Sequence, residues 1–222
     1  MKDYFIVGDV HGCFYTLELL LKNWTPGQQQ LIFVGDIIDH GNHSPQVAAL
    51  IKKIAKENTD TIVLRGNHEQ LFINHCLNQF NQDWYEKSGE RTFGQYLAMG
   101  RNIDEDAKWF ATFPVYFREE NIFISHAGMP KTENPFDPNN PDGVVWHRDE
   151  IQDLPQIQAY GHTPKEEAVF DAATNAINID TGAYKCNKLT SIVIDKAGKI
   201  KDLISIDTHD KDLPVEEEAC IL

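Results

Sequence analysis

Tyr4-Phe5-Ile6-Val7-Gly8-Asp9-Val10-His11-Gly12 is an apolar run of four residues that breaks at a glycine and delivers two metal-ligand side chains. The pattern recurs four times. Leu31–Val34 runs into Gly35-Asp36-Ile37-Ile38-Asp39, and Thr61–Leu64 into Arg65-Gly66-Asn67-His68-Glu69. Ile122–Ile124 runs into Ser125-His126-Ala127-Gly128, and Ala159-Tyr160 into Gly161-His162-Thr163. Short runs rich in β-branched and aromatic residues read as buried strands. Ligands of open α/β sheets bind beyond the carboxyl ends of the strands, so one crevice is expected to collect Asp9, His11, Asp36, Asn67, His126 and His162. Imidazole, carboxylate and amide donors without thiolate suit Mn, Fe or Zn better than Ca or Mg. Six ligands exceed the need of one tetrahedral ion, so two divalent metals are expected, manganese first, with iron and zinc as alternatives.

Between these runs the periodicity is helical. Leu17, Leu20, Leu21 and Trp24 share one helix face, and Pro26-Gly27 ends that helix. Ser44 is an N-cap candidate with Pro45 behind it, followed by the stripe Val47, Leu50, Ile51 and Ile54. The first 78 residues thus read β-α-β-α-β-α, a parallel sheet with helical crossovers. Residues 79–120 form an insertion with helical pieces near Arg91–Ala98 and Asp104–Thr112, a candidate roof for the site. Residues 132–142 read as a loop. The end is strand-rich at Ala176–Ile179, Leu189–Ile194 and Ile200–Ile206, and the acidic stretch 208–222 reads as a solvated, frayed tail. The expectation is one domain over 1–222.

The totals narrow the function. A chain of 222 residues with 41% hydrophobic and 24% charged content is an ordinary globular protein with one core. A net charge of −14 without a basic stripe argues against long nucleic acid as a partner. Four scattered cysteines give no disulfide framework or CxxC site. No apolar run is long enough for a bilayer span and no signal-type segment is seen, so the expectation is a cytoplasmic protein without a membrane partner. Oligomeric state is not legible.

Two divalent ions need a bridging carboxylate, and Asp36, ending the middle of three strands, is the candidate. Asp9 and His11 reach one ion; Asn67, His126 and His162 hold the other. Such a pair lowers the pKa of a bound water from 15.7 toward about 7 and clamps both oxygens of an in-line displacement. The reaction that follows is phosphate ester hydrolysis by a bridging hydroxide. His68, next to a ligand but directed elsewhere, is the candidate acid for the leaving oxygen, and Asp39 would hold it charged.

GDVHG, GDIIDHG, RGNHE, SHAG and YGHT, in this order, with INIDTGAY at 177–184, resemble the PPP-type, calcineurin-like metallophosphoesterases over residues 3–195. The likeness is to compact bacterial and phage serine/threonine protein phosphatases and symmetrical dinucleoside tetraphosphatases. It implies an α/β fold, a four-layer α/β/β/α sandwich of the metallo-dependent phosphatase type. By position it implies Asp9, His11 and Asp36 at the first metal, and Asp36, Asn67, His126 and His162 at the second. His68 paired with Asp39 would be the proton donor, and Arg148 a phosphate-binding arginine; Arg148, His40 and Asn67 would meet substrate.

One residue departs from that pattern. The family's second motif ends Asp-Arg-Gly; this chain has Asp39-His40-Gly41. Arginine is always charged and grips phosphate with a planar fork, whereas histidine is mostly neutral at pH 7. The expectation is weaker phosphate binding that improves below neutral pH. Arg65 is expected to make structural ion pairs, and Cys13 to be a buried thiol. The leading functional reading is a phosphomonoesterase acting on phosphorylated protein, a serine/threonine phosphatase of narrow or broad specificity, or on a small phosphoester. The runner-up is a symmetrical dinucleoside polyphosphate hydrolase. An idle metallophosphatase fold serving as a binding module ranks last, because all six ligands and His68 are present.

Overall fold

The structure is a computed structural model, and it describes residues 2–213. Strands β1 (Asp3–Val7), β2 (Gln29–Phe33) and β3 (Ile62–Val63) are joined by helices α1 (Phe14–Leu20) and α2 (Ser44–Glu57) and run parallel, as the sequence predicts. Helix α3 (Asn67–Ile73) follows β3; α4 (Gln82–Trp84), α5 (Glu90–Met99) and α6 (Ile103–Phe110) make up the insertion. The second sheet contains β4 (Tyr116–Glu119), β5 (Ile122–Ser125), β6 (Ile157–Tyr160), β7 (Val169–Asp171) and β8 (Ala176–Asn178). The chain then returns to the first sheet as β9 (Lys188–Ile194) and β10 (Ile200–Asp207).

Both sheets are mixed. The first has the order β10-β9-β1-β2-β3, with β9 antiparallel to β1. The second has the order β4-β5-β6-β8-β7, with a parallel centre and antiparallel edges. Strand side chains alternate between faces, and here both faces of β1 are covered. Tyr4 and Ile6 meet Ile122, Ile124, Ile157 and Ile177 between the sheets. Phe5 and Val7 face the helices, packing with Leu17, Val47, Ile51 and Phe72. That is why these strands read as unbroken apolar runs. The result is an α/β sandwich of two sheets flanked by helices. Outside the second sheet the cover is irregular chain: Phe123 packs with Val144 and Val145 from the 129–154 segment.

Edge strands β4 and β7 were not legible, because they are mostly exposed and carry no apolar run. Helix α2 opens one residue earlier than read: His43 is the cap position and Ser44 the first helical residue. The insertion does not lie across the site as a roof; it packs beside α2 and α3 and reaches inward at Asp39. Arg65 makes no ion pair among the described residues. Its guanidinium instead binds Gln70 and the carbonyls of Ala111 and Phe113, tying β3 to the insertion.

The tail differs most from expectation. Residues 210–212 form a helical turn, and Asp212 is buried. Its carboxylate accepts from Tyr15 N, Thr16 N and Thr16 Oγ1 at 2.7–3.1 Å. It therefore caps α1, whose own cap position, Cys13, supplies no side-chain bond. The rest of the expected tail lies outside the described residues.

Candidate active site

Every proposed ligand leaves a strand end. Asp9 and His11 follow β1, Asp36 follows β2, and Asn67 opens α3 after β3; His126 follows β5 and His162 follows β6. The two sheets face each other, so their carboxyl ends open into one crevice. The backbone there is bent hard. Of the eight non-glycine residues at positive φ among the described residues, five are His11, Asp36, Asp39, His40 and His162. Such conformations cost of order 1–3 kcal/mol each and persist where surroundings over-determine them. Two glycines allow the close approach: a Cβ on Gly66 would overlap the Asp36 carboxylate, and one on Gly161 the Asp9 carboxylate.

Four ligand atoms converge on the second position. His126 Nε2 lies 3.0 Å from Asn67 Oδ1, 3.1 Å from His162 Nδ1 and 3.3 Å from Asp36 Oδ2. The rings are aimed from behind by carbonyls: Val34 O against His126 Nδ1 at 3.2 Å, and Trp146 O against His162 Nε2 at 2.9 Å. On the other side His11 gives Nδ1 to Ile38 O at 2.9 Å and turns Nε2 toward Asp36 Oδ2 at 3.5 Å. Asp36 Oδ2 thus stands between His11 and His126, where a bridging ligand belongs. Asp9, His11 and Asp36 form one group able to hold a cation, and Asp36, His126 and His162 another.

Electrostatics support a cation here. Asp9, Asp36 and a third carboxylate, Asp180, are all at most 2% exposed. Burial first, then Asp180 and Asp36, raises Asp9 well above the usual carboxylate range. Burial would raise Asp36 too, but His126, His68 and His11 outweigh it and hold it well below. Burial brings Asp180 up to about 6. Asp9 Oδ1 and Asp180 Oδ2 are buried without a hydrogen-bond partner. A buried carboxylate oxygen left unpaired is costly, and divalent cations at this point would satisfy it. The N/O donor set fits such ions.

His68 Nδ1 donates to Asp39 Oδ2 at 2.7 Å, and His68 N donates to Asp36 Oδ1 at 3.0 Å. Burial would lower the imidazole, but Asp36 and Asp39 outweigh it and raise it to about 9. The pair is propped from the insertion. Trp84 Nε1 donates to Asp39 Oδ2 at 2.7 Å and Thr92 Oγ1 to Asp39 Oδ1 at 2.5 Å. Sequence reading missed Trp84 and Thr92, which lie 45 and 53 positions from Asp39 and carry no local signal. It also left Glu69 unassigned, although Glu69 accepts from Asp36 N, Ile37 N and Gly66 N and so locks the β2 and β3 ends together. Asp180 was missed as well, although a local signal marks it: it ends the run Ile177-Asn178-Ile179 as Asp9 and Asp36 end theirs.

Arg148 lies at the rim, exposed, with Nη1 donating to His162 O at 3.3 Å and Thr163 Oγ1 at 3.2 Å. It has no acidic partner within ion-pair distance among the described residues. It also borders a cavity of about 470 Å³ with Lys165, Tyr160 and Ile151. His40 faces the crevice, stacked on Tyr184 with ring centres 4.3 Å apart. Burial, with His68 adding, lowers it to about 4. The charging expected just below neutral pH is therefore moved far down, and His40 is no arginine substitute at ordinary pH.

The sequence profile described as calcineurin-like phosphoesterase matches residues 4–212. Among curated proteins the chain is 31% identical to a bis(5'-nucleosyl)-tetraphosphatase PrpE [asymmetrical] of Oceanobacillus iheyensis, over 84% of this chain and 86% of that one. It is 27% identical to the protein of the same name from Anoxybacillus flavithermus, over 85% and 89%. Among solved structures it resembles a putative diadenosine tetraphosphatase (TM-score 0.65, 19% identity, 94% and 95% covered). It also resembles a serine/threonine phosphatase of Saccharomyces cerevisiae (TM-score 0.62, 17% identity, 96% and 81% covered). At these identities the structural likenesses speak for the fold. With the profile spanning nearly the whole described chain and the ligand groups gathered in one crevice, this protein belongs to the calcineurin-like phosphoesterases, metal-dependent hydrolases of phosphoesters.

Proposed function

We propose that this chain is a single-domain hydrolase of dinucleoside polyphosphates. The observation that carries this reading is the likeness, over about 85% of the chain, to proteins named for that activity. The sequence-based runner-up specified symmetrical cleavage; the relatives' names say asymmetrical. Asp9, His11 and Asp36 would hold one divalent ion, and Asp36, Asn67, His126 and His162 the other, with manganese the first choice. The ions would supply Lewis acidity and an activated water. The chain's own residues do the rest. Arg148, exposed at the rim with donors beyond its two contacts there, would bind an incoming phosphate, and Lys165 adds positive charge to the lining of the neighbouring cavity. His68, kept protonated at neutral pH by Asp39 and Asp36, gives its Nε2 proton to the leaving oxygen.

A second reading keeps the phosphomonoesterase, including a serine/threonine protein phosphatase. The His68–Asp39 pair favours it. A serine alkoxide is a poor leaving group and needs that proton, whereas a nucleotide leaves an anhydride as an already stable anion.

The test is manganese-loaded protein on diadenosine tetraphosphate and on phosphoserine peptides side by side. Faster turnover of the dinucleotide supports the first reading, and its products assign the cut: AMP with ATP for asymmetrical, ADP alone for symmetrical. Faster turnover of the peptides replaces it with the second. Metal bound without turnover of either leaves the interaction-module reading.

A further inference from the structure

Three imidazoles crowd the mouth of the crevice. His40 meets His11 and His68 edge-on, with ring centres 4.8 Å apart in each case, and His11 meets His68 at the same distance. Each ring offers a nitrogen, and these nitrogens lie within 4.8 Å of one another. His11 is committed, with Nδ1 on Ile38 O and Nε2 toward Asp36. His68 is not: Asp39 takes its Nδ1 and leaves Nε2 without a hydrogen-bond partner among the described residues. A carboxylate behind an imidazole is the arrangement that orients metal-binding histidines and raises their basicity. The stack on Tyr184 fixes the plane of the His40 ring beside it.

We propose that His40 and His68 form a third, inhibitory divalent-cation site that takes zinc-class ions. Paired imidazoles suit zinc, copper or nickel and give little to magnesium or calcium. Zinc–imidazole bonds of ~2.0–2.1 Å put two ring nitrogens at most about 4.2 Å apart. Tetrahedral coordination sets them roughly 3.3 Å apart, so from within 4.8 Å the rings need to close by up to about 1.5 Å. An arginine at position 40 would repel a cation from this point; histidine invites one. The ion displaces the Nε2 proton of His68 to solvent and takes the lone pair so freed, so His68 no longer carries a proton for the leaving oxygen. The inhibition rests on the reading of His68 as proton donor; the binding does not.

The experiment dialyses manganese-loaded wild type, His40→Phe and His40→Gln against graded zinc. Bound zinc and retained manganese are counted per chain, with activity on an aryl phosphate measured in parallel against each protein's own zinc-free rate. His40→Phe keeps a flat ring over Tyr184 without a lone pair; His40→Gln serves if that ring disturbs folding. Wild type is expected to bind one zinc more than either variant while keeping its manganese, and to lose activity at least 10-fold at a zinc level the variants tolerate. Equal zinc binding and equal inhibition in all three proteins would overturn the site, as would zinc entering only as manganese leaves. Binding that depends on His40 without loss of turnover overturns the inhibitory role alone. A wild type that turns over no phosphoester sinks the functional reading, and the zinc count still decides the site.

Discussion

The insertion and the 129–154 segment both lean on the same crevice, and they do so by different means. The insertion is helical and built on an aromatic cluster in which Phe72 meets Trp84, Phe93, Tyr96 and Phe110. It reaches the site through two side-chain donors, Trp84 Nε1 and Thr92 Oγ1, both spent on Asp39. The 129–154 segment is irregular and covers the second sheet with a small cluster around Phe123. It reaches the site through a backbone carbonyl, Trp146 O, and through the exposed Arg148. The helical prop positions the carboxylate that holds His68; the irregular one sets the tautomer of His162, so that its Nδ1 faces the crevice. A side-chain prop can be removed by one substitution, whereas a carbonyl prop survives any side-chain change that leaves the backbone in place.

His68→Asn is expected to give the largest effect, because it removes what the helical prop is built to hold. A positioned acid contributes roughly 10²–10⁴-fold, so kcat on an alkyl phosphate should fall by that range while manganese content stays unchanged. A drop of the same size on an anhydride substrate would mean that the proton is also needed there. A drop confined to the alkyl ester would mean that the anhydride leaves unaided.

Trp84→Phe and Thr92→Val break the prop without touching the dyad. Partners that orient a site residue from behind typically cost 10–100-fold when removed, so each variant should lose about that factor in kcat. Both donors act on Asp39, so the double variant should lose less than the product of the two. Near-normal kcat in both would show that Asp39 holds His68 without help. These residues also mark where sequence reading stops. The strand ends and the polar residues that follow them, Asp39 included, were legible because each is local: an apolar run, a glycine, a polar side chain. Trp84 and Thr92 were not, since a hydrogen bond across more than forty positions leaves no periodicity. Edge strands β4 and β7 escaped for the opposite reason, being local but exposed, with no apolar face to betray them. His40 was legible as a departure from a motif, yet its neutrality comes from burial that only the packing reveals.

On the irregular side, Arg148→Ala should act on binding rather than on chemistry. One charge-assisted hydrogen bond of about 1.5 kcal/mol corresponds to a rise in KM of roughly 10-fold, with kcat within a few-fold and manganese content unchanged. Lost manganese would mean instead that Arg148 supports His162 through its carbonyl, a structural duty that the geometry at 3.3 Å makes weak.

The smallest effect is expected where a side-chain prop serves stability alone. Asp212 accepts three hydrogen bonds at the start of α1, a helix whose own cap residue supplies none. Removing a capping acceptor costs about 1–2 kcal/mol, and the lost carboxylate also gives up its attraction to the helix N-terminus. In a domain of this size 1 kcal/mol shifts Tm by ~2–4 °C. Asp212→Ala should therefore lower Tm by roughly 2–8 °C, and Asp212→Asn, which keeps an acceptor, by less. Turnover measured well below Tm should not change, because neither α1 nor residues 208–213 supply a group to the crevice. An unchanged Tm in Asp212→Ala would mean that this segment contributes nothing to α1, and that the solvated tail read from its acidic sequence describes it better than the capping geometry does.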